Sequence, residues 1–126
     1  MKVLADTNIF IDFWKHPTDE LKEFFSEEEV VVCNVVIAEL LHGAVSEKNM
    51  RTMESLLEPF EMVGIRDDQW YDFGEFLYML RTNGLTVPFQ DALISFIAIK
   101  NRITVRTNDK HFKLIQTLFP ELSLFK

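Results

Sequence analysis

Four short runs of hydrophobic, largely β-branched residues stand out along the chain and predict β-strands. They cover residues 2–5, 30–33, 62–65 and 103–107. The first, second and last runs are apolar almost throughout instead of alternating with polar residues, which is typical of strands buried on both faces of a parallel sheet. Helices are therefore expected to cover both faces of this sheet.

Between these runs the hydrophobic residues recur every three to four positions, which is the spacing of amphipathic helices. Asn34 is a good N-cap for one of these helices. A longer helix, opened by Asp67 and Asp68, is expected to end near Gly84. Its large buried side chains should be Trp70, Phe73, Leu77 and Leu80. The other predicted helices cover residues 7–15, 19–25, 35–45, 47–57, 90–100 and 109–118, and residues 122–125 are a candidate edge strand.

Strand and helix alternate along the whole chain, without internal repeats or a linker. This order predicts one domain over residues 1–126, of the α/β class, with three layers (α/β/α), a mostly parallel central sheet and right-handed crossovers. In such sheets, ligands bind outside the carboxyl ends of the strands. The residues that directly follow each strand are therefore the main candidates for a functional site.

Composition adds one feature to this picture, an uneven distribution of charge. The net charge is −7. Residues 1–97 hold 7 Lys and Arg against 18 Asp and Glu, a net charge of −11, whereas residues 98–126 hold 6 against 2, a net charge of +4. The basic segment either faces the phosphates of a nucleic acid or is an ordinary solvated surface, and the charges alone favour neither interpretation.

Cys33 is the single cysteine, which excludes an internal disulfide and a metal site built from several cysteines. It closes an apolar run and is expected to be buried. Asp6 interrupts the N-terminal apolar stretch too early for a signal peptide, and no apolar segment approaches the ~18 residues of a transmembrane helix. The protein is therefore expected to be cytoplasmic, with no membrane partner.

Four acids occupy positions from which they could meet at one rim of the sheet. Asp6 follows the first predicted strand and Asp109 the last, Asp91 lies in the first turn of a strongly apolar helix, and Glu39 lies one to two turns into another helix. Each acid taken alone is better explained as a helix cap or a surface charge. Together they would repel one another, and a hard divalent cation such as Mg²⁺ or Mn²⁺ would relieve that repulsion.

Such a site is suited to metal-assisted phosphodiester hydrolysis. The chain has no Gly-rich phosphate loop, no zinc-type Cys/His spacing and no Gly-x-Ser-x-Gly elbow. Two phosphoaspartyl rivals also fail. A haloacid-dehalogenase-type phosphatase needs a second acid where this chain has Asn8, and a receiver domain needs an Asp after a central strand, where this chain offers Asn34 or Arg66.

With these residues in this order, nearly the whole chain resembles the PIN-domain nucleases and, among them, the VapC-type toxins of prokaryotic toxin–antitoxin pairs. The resemblance rests on four motifs: Ala5-Asp6-Thr7-Asn8, Glu39-Leu40-Leu41-His42-Gly43, Asp91-Ala92-Leu93-Ile94 and Thr107-Asn108-Asp109-Lys110-His111-Phe112. It implies Mg²⁺- or Mn²⁺-dependent endoribonuclease activity, a homodimer and a small antitoxin protein as partner.

The resemblance also implies roles for individual residues. Asp6, Glu39, Asp91 and Asp109 would be the metal-binding and catalytic acids, and Thr7, Asn8 and Thr107 would position them or contact phosphate. Lys110 joins this group as a candidate contact to RNA, and Lys113, Arg102 and Arg106 either steer RNA or form ion pairs. The chain departs from the family at His111, where many members carry a further acid. An exposed helical histidine is the favoured interpretation of His111, and a late metal ligand or a phosphate contact is the alternative.

Three questions stay open at this level. The aromatic residues Phe10, Phe13, Trp14, Phe24 and Phe25 are either core or a groove for an antitoxin helix. A PIN-like module that binds RNA or protein without cutting is an alternative function. The same chemistry also permits cleavage of structured DNA, since metal-assisted hydrolysis does not require a 2′-hydroxyl.

Overall fold

All four strands of the sheet are parallel, in the order β3-β2-β1-β4. The structure is a computed structural model that describes residues 1–126. β1 (Lys2–Ala5) lies in the interior between β2 (Glu29–Cys33) and β4 (Thr104–Arg106), and β3 (Glu61–Val63) forms the edge beyond β2. The predicted parallel sheet is thus confirmed. Because every strand runs the same way, all four carboxyl ends open onto one edge of the sheet.

The helices form two packed groups. They are α1 (Thr7–Lys15), α2 (Asp19–Glu27), α3 (Asn34–His42), α4 (Glu47–Leu57), α5 (Trp70–Thr82, after a 3₁₀ turn at Asp67–Gln69), α6 (Phe89–Asn101) and α7 (His111–Leu118). Helix α3 packs against α1 and α4, whereas α6 packs against α5 and α7. With right-handed crossovers, the chain moves outward from β1 to β3 on one face and returns to β4 across the other. The three-layer arrangement is therefore confirmed.

The core lies around β1 and α6. Val3, Leu4 and Ala5 are completely buried, and every residue of α6 from Asp91 to Ala98 is buried as well. The apolar residues among them belong to one continuous cluster of buried side chains that also includes Cys33. Of the aromatic residues left open by sequence, Phe10 and Phe24 are core, and Phe13, Trp14 and Phe25 are half-buried against it. No helix combines the length and the apolar character needed to cross a bilayer.

Several predicted boundaries need correction. Helix α3 begins at Asn34 itself, with Cys33 as its N-cap, and ends at His42, three residues before the predicted end at Val45. Its last carbonyls are satisfied by the Gly43 amide. The predicted edge strand reduces to a single bridge, in which Leu124 pairs with Val105.

The predicted inward face of α5 is also partly wrong. Trp70 is 46% exposed, and Phe76 is buried in its place together with Phe73 and Leu80. Trp70 is the first residue of α5 and packs edge-on against Phe73, so the helix meets the core only from Phe73 onward. The predicted end of the helix is confirmed, because Gly84 adopts a left-handed φ of 77° just after it.

Helix α6 offers a test of its packing. Ser95 Oγ is buried without a hydrogen-bond partner. A buried hydroxyl without a hydrogen bond destabilises the folded state, because the loss of its hydration is not compensated. Ser95→Ala should therefore raise the free energy of unfolding by about 1 kcal/mol. The neighbouring change Ile94→Ala should lower it by about 2 to 5 kcal/mol, since it leaves a cavity in the core. Urea unfolding of both variants measures the two effects, and a destabilised Ser95→Ala protein would contradict this assignment.

Candidate metal and active site

The four acids predicted from the sequence face the carboxyl edge of the sheet. Asp6 follows β1 and caps α1, Glu39 lies in the second turn of α3, Asp91 in the first turn of α6, and Asp109 in the loop between β4 and α7. Their charges act on one another: Asp6 raises the pKa of both Glu39 and Asp91, and Asp109 raises the pKa of Asp6. The fold therefore brings together residues that are up to a hundred positions apart in the chain.

Asp6 is held from three directions. Its Oδ1 accepts a hydrogen bond from the Thr7 amide at 2.7 Å, and its Oδ2 accepts from Thr107 Oγ1 at 2.7 Å and from Asn8 Nδ2 at 3.2 Å. The residue is only 4% exposed. Burial raises its pKa more strongly than the hydrogen bonds from Thr107 and Thr7 lower it. The carboxylate is thus fixed in orientation and kept out of water.

Asp91 and Asp109 form a compact group with His111. His111 Nδ1 lies 2.7 Å from Asp109 Oδ1 and 3.0 Å from Asp91 Oδ2. Burial, followed by the charges of Asp109 and Asp6, raises the pKa of Asp91 to about 6. Burial also acts to raise the pKa of Asp109, but hydrogen bonds from the His111 amide, the His111 ring and Asp91 outweigh it, so that this pKa is lowered. On acidification, Asp91 is therefore the first of the pair to take up a proton.

Glu39 lies outside that compact group. Its Oε1 accepts a hydrogen bond from Thr7 Oγ1 at 3.3 Å, which links it to the residue beside Asp6. Burial, and then the charge of Asp6, raises the pKa of Glu39. Its placement at the margin agrees with the expectation that Glu39 is either a fourth ligand or a group that orients water.

Two of the polar residues predicted to position the acids, Thr107 and Asn8, form hydrogen bonds with them in this structure. Thr107 Oγ1 donates to Asp6 and accepts from the Asp109 amide at 2.9 Å, so it joins two of the acids. Asn8 donates to Asp6 and accepts from the Asn108 amide at 3.1 Å. Lys110 is exposed at the start of α7 and forms no ion pair. Whether any of them contacts phosphate stays a prediction.

Two residues at the rim were misjudged or missed from sequence. His111 was expected to be an exposed helical histidine, and this is wrong: its side chain is 34% exposed and turned toward two acids. Its place two residues after Asp109, where the resemblance to PIN-domain nucleases leads us to expect a further acid, is the signal that the sequence offers. Asp12 was not considered, yet its Oδ2 accepts from Asn108 Nδ2 at 2.9 Å and ties α1 to the loop after β4.

Cys33 is no part of the chemistry. Its side chain is completely buried at the end of β2, and burial raises the pKa of the thiol to about 11. The thiol therefore stays neutral at physiological pH and cannot act as a nucleophile or as a thiolate ligand.

The donor set fits a divalent cation. Carboxylate oxygens are hard ligands of the kind that Mg²⁺ and Mn²⁺ prefer. Burial raises the pKa values of Asp6, Glu39 and Asp91, and the charges of neighbouring acids raise them further, so that their ionised forms are unfavourable in the absence of a positive charge. A cation among Asp6, Asp91 and Asp109 would stabilise their ionised forms. The fold and this rim together define a three-layer α/β protein with an acidic site at the strand ends whose donors fit a divalent cation.

Comparison with known proteins agrees with this fold and acidic site, and it identifies the family. The family model of the PIN domain matches residues 3–118, and the chain belongs to the PIN-domain family. Ribonuclease VapC2 of Rickettsia felis is 29% identical, with 96% of this chain and 97% of the relative covered. Ribonuclease VapC1 of Methanocaldococcus jannaschii is 28% identical, with 91% and 82% covered. The fold also matches DNA-bound VapBC of Salmonella typhimurium, with a TM-score of 0.85, 23% identity and coverage of 99% and 97%.

The burial of Asp91 beside other acids predicts a dependence of stability on pH. The pKa of Asp91 is about 6 in the folded protein, against 3.8 for an unperturbed carboxyl. Because it is raised, Asp91 contributes stability that is fully present below pH 3.8 and is lost as the pH rises through about 6. In EDTA at about pH 7.5, Asp91→Asn should therefore be more stable than the wild type, by up to about 3 kcal/mol.

Thermal unfolding at several pH values measures this difference. The wild type and Asp91→Asn should converge near pH 4, because Asp91 is then protonated. Added Mn²⁺ should raise the Tm of the wild type and raise that of the variant less. An Asp91→Asn protein that is less stable than the wild type at about pH 7.5 in EDTA would show that the ionised Asp91 side chain does not destabilise the fold, which would contradict its raised pKa.

Proposed function

We propose that this chain is a metal-dependent endoribonuclease and the toxin of a toxin–antitoxin pair. One observation carries the proposal: the acids predicted from sequence converge at the carboxyl edge of the sheet in a member of the PIN-domain family. The names of the two relatives, both ribonucleases of the VapC type, support RNA as the substrate.

Each acid has a proposed task. Asp6, Asp91 and Asp109 would hold Mg²⁺ or Mn²⁺, and Glu39 would be a fourth ligand or orient the attacking water. When bound, the ion supplies charge neutralisation at the phosphate and acidifies water. Thr7 aligns the Glu39 carboxylate, while Thr107 and Asn8 keep Asp6 in one orientation. In-line attack of water on phosphorus would leave a 5′-phosphate and a 3′-hydroxyl.

A cavity beside Asp109 is the proposed path of the RNA. It has a volume of about 160 Å³, and its lining includes Asp109, Asn108 and the two lysines Lys110 and Lys113. Neither lysine forms an ion pair within the chain, so both are available for phosphate. Val105, Leu124 and Phe125 add apolar surface on which a base can pack.

The two arginines of the basic segment have other roles. Arg106 Nη2 lies 3.0 Å from Glu20 Oε1, and its guanidinium lies over the ring of Phe24 at 4.5 Å. Arg102 ends α6 ahead of β4 and therefore lies at the opposite edge of the sheet from the acids. The interpretation as ion pair and packing is thus favoured for Arg106, and neither arginine belongs to the proposed RNA path.

A groove next to Glu39 is the proposed seat of an antitoxin segment. It has a volume of about 390 Å³ and lies between α1, α3 and α4. Its apolar lining consists of Ile11, Trp14, Leu40, Val45, Met53 and Leu56. A solved structure of similar fold from Mycobacterium tuberculosis is a member of the VapBC family of toxin–antitoxin systems, and another, from Klebsiella pneumoniae, is a toxin–antitoxin complex, which supports a protein partner. The homodimer stays a prediction, for which the exposed apolar side chains Tyr71, Tyr78 and Met79 of α5 offer a surface.

Cleavage of RNA with Mn²⁺ or Mg²⁺ tests the proposed activity. Asp6→Asn should lower the rate roughly 100-fold or more, because a ligand and its charge are lost. Asp72→Asn, which changes an exposed acid on α5, is the matched control and should cleave like the wild type. EDTA should stop cleavage. Metal-independent RNA binding without cleavage would favour the silent binding module, and a preference for structured DNA would favour the other alternative.

The salt dependence of RNA binding tests the proposed path. Lys110→Ala and Lys113→Ala should each weaken binding and together reduce the slope of log affinity against log salt by roughly 1 to 1.5, since each lysine contacts one phosphate. Asp6→Asn can serve as the common background so that no RNA is cut. Lys48→Ala on α4 is the control. An unchanged slope in the Lys110/Lys113 double variant would place the RNA elsewhere.

A further inference from the structure

His111 brings a nitrogen donor into an otherwise all-oxygen site. Its Nδ1, one oxygen of Asp91 and one of Asp109 all lie within 4.8 Å of one another. The ring nitrogen lies 2.7 Å from Asp109 Oδ1 and 3.0 Å from Asp91 Oδ2. Neighbouring ligands of an octahedral ion with bonds of about 2.1 Å lie roughly 3 Å apart. The spacing therefore suits two oxygens and one nitrogen on the same ion.

This arrangement is built into the backbone. Asp109 Oδ1 accepts a hydrogen bond from the His111 amide at 2.9 Å, which holds the loop and the first turn of α7 together. Asp91 is 8% exposed and lies on the fully buried part of α6. Asp91 and His111 are thus held by two helices that pack against each other, α6 and α7, and the loop residue Asp109 is held by its hydrogen bond to the first residue of α7. Pre-organised donors of this kind reduce the cost of ordering the ligands when an ion binds.

The other two acids of the rim are engaged differently. Asp6 already accepts three hydrogen bonds from Thr7, Asn8 and Thr107. Glu39 accepts a hydrogen bond from Thr7 and does not belong to the compact group of donors around His111. The group formed by Asp91, Asp109 and His111 is therefore a distinct part of the rim, with its own donor chemistry.

We infer that Asp91, Asp109 and His111 form a mixed oxygen and nitrogen metal site, and that His111 makes it select a first-row transition-metal dication such as Mn²⁺ or Co²⁺ over Mg²⁺. This inference rests on the proposed metal-dependent function and specifies its cation. Mg²⁺ dehydrates reluctantly and prefers oxygen, whereas affinity for a site with an imidazole rises along the series from Mn²⁺ to Co²⁺. An acid at position 111 would lack this preference.

A competing role for His111 makes the opposite prediction. As an imidazolium, the ring would serve only as a positive counter-charge for Asp91 and Asp109 and would compete with the ion. Removal of the ring would then strengthen metal binding. Removal of a ligand weakens it, typically by about 10-fold or more.

Metal binding measured by calorimetry distinguishes the two roles without RNA. The wild type, His111→Ala and His111→Asp are titrated with Mn²⁺, Co²⁺ and Mg²⁺, and His16→Ala, an exposed histidine after α1, is the control. His111→Ala should weaken Mn²⁺ and Co²⁺ binding about 10-fold and change Mg²⁺ binding little. His111→Asp should reduce the ratio of Co²⁺ to Mg²⁺ affinity while leaving a site that binds both. Far-UV circular dichroism in EDTA shows that each variant is folded.

Pulsed electron paramagnetic resonance of the Mn²⁺ form tests the bond itself. Nitrogen modulation from a coordinated imidazole should be present in the wild type and in His16→Ala, and absent in both His111 variants. Absence of that modulation in the wild type, or tighter Mn²⁺ binding by His111→Ala, would overturn the inference. A protein that shows the selectivity but does not cleave RNA would instead refute only the proposed function, so the two failures are distinguishable.

Discussion

The mutual repulsion of carboxylates at one edge of the sheet is the constraint on which the rest of this structure depends. Asp6 and Asp91 are almost completely buried, and their neighbours are further acids. The surrounding hydrogen bonds hold the acids in place despite this repulsion: Thr107 joins Asp6 to the Asp109 loop, and Asn8 joins Asp6 to Asn108. The rim stores an unfavourable electrostatic energy that a cation would release, which is the physical basis for a metal-dependent site.

The parallel sheet and the helices packed on it hold these acids in place despite their repulsion. β1 lies in the interior of the sheet with three completely buried residues, so Asp6 emerges directly from the buried core. Helix α6, buried along most of its length, supports Asp91 in the same way. Because Asp6 and Asp91 are mounted on elements that the core already holds, their repulsion cannot simply push them apart. Sites built on such elements keep their geometry better than sites built on loops.

The uneven distribution of charge along the sequence corresponds to separate acidic and basic surfaces in the fold. Most of the acidic residues are exposed around the helices of the first part of the chain, whereas Lys110 and Lys113 lie beside Asp109 at the reaction rim. Arg106, by contrast, is held by Glu20 and Phe24. A protein with an overall negative charge can thus present a local positive surface to a polyanion. The apolar groove next to Glu39 shares no lining residue with the cavity that holds these lysines, so the polar and the apolar surfaces beside the acids are separate.

The sequence by itself determined the class of fold, the acids and their approximate places, because hydrophobic periodicity and the residues after each strand are local properties. It also predicted Gly84 as the end of a helix, since a left-handed φ is a local requirement. It was wrong where packing decides. Trp70 and Phe76 both fit the spacing of α5, and only the position of the core shows which one is buried. Residues 122–125 had the composition of a strand, but only Leu124 pairs with β4.

Only the tertiary structure shows that the His111 side chain contacts two of the acids. On the sequence it was one polar residue near the start of a helix, and such residues are mostly exposed. Its contact with Asp91 spans 20 positions and depends on how α7 packs against α6. The same holds for Asp12, which meets Asn108 across 96 positions. Contacts of this kind depend on the relative placement of whole elements, which is a property of the packed core and not of any local pattern.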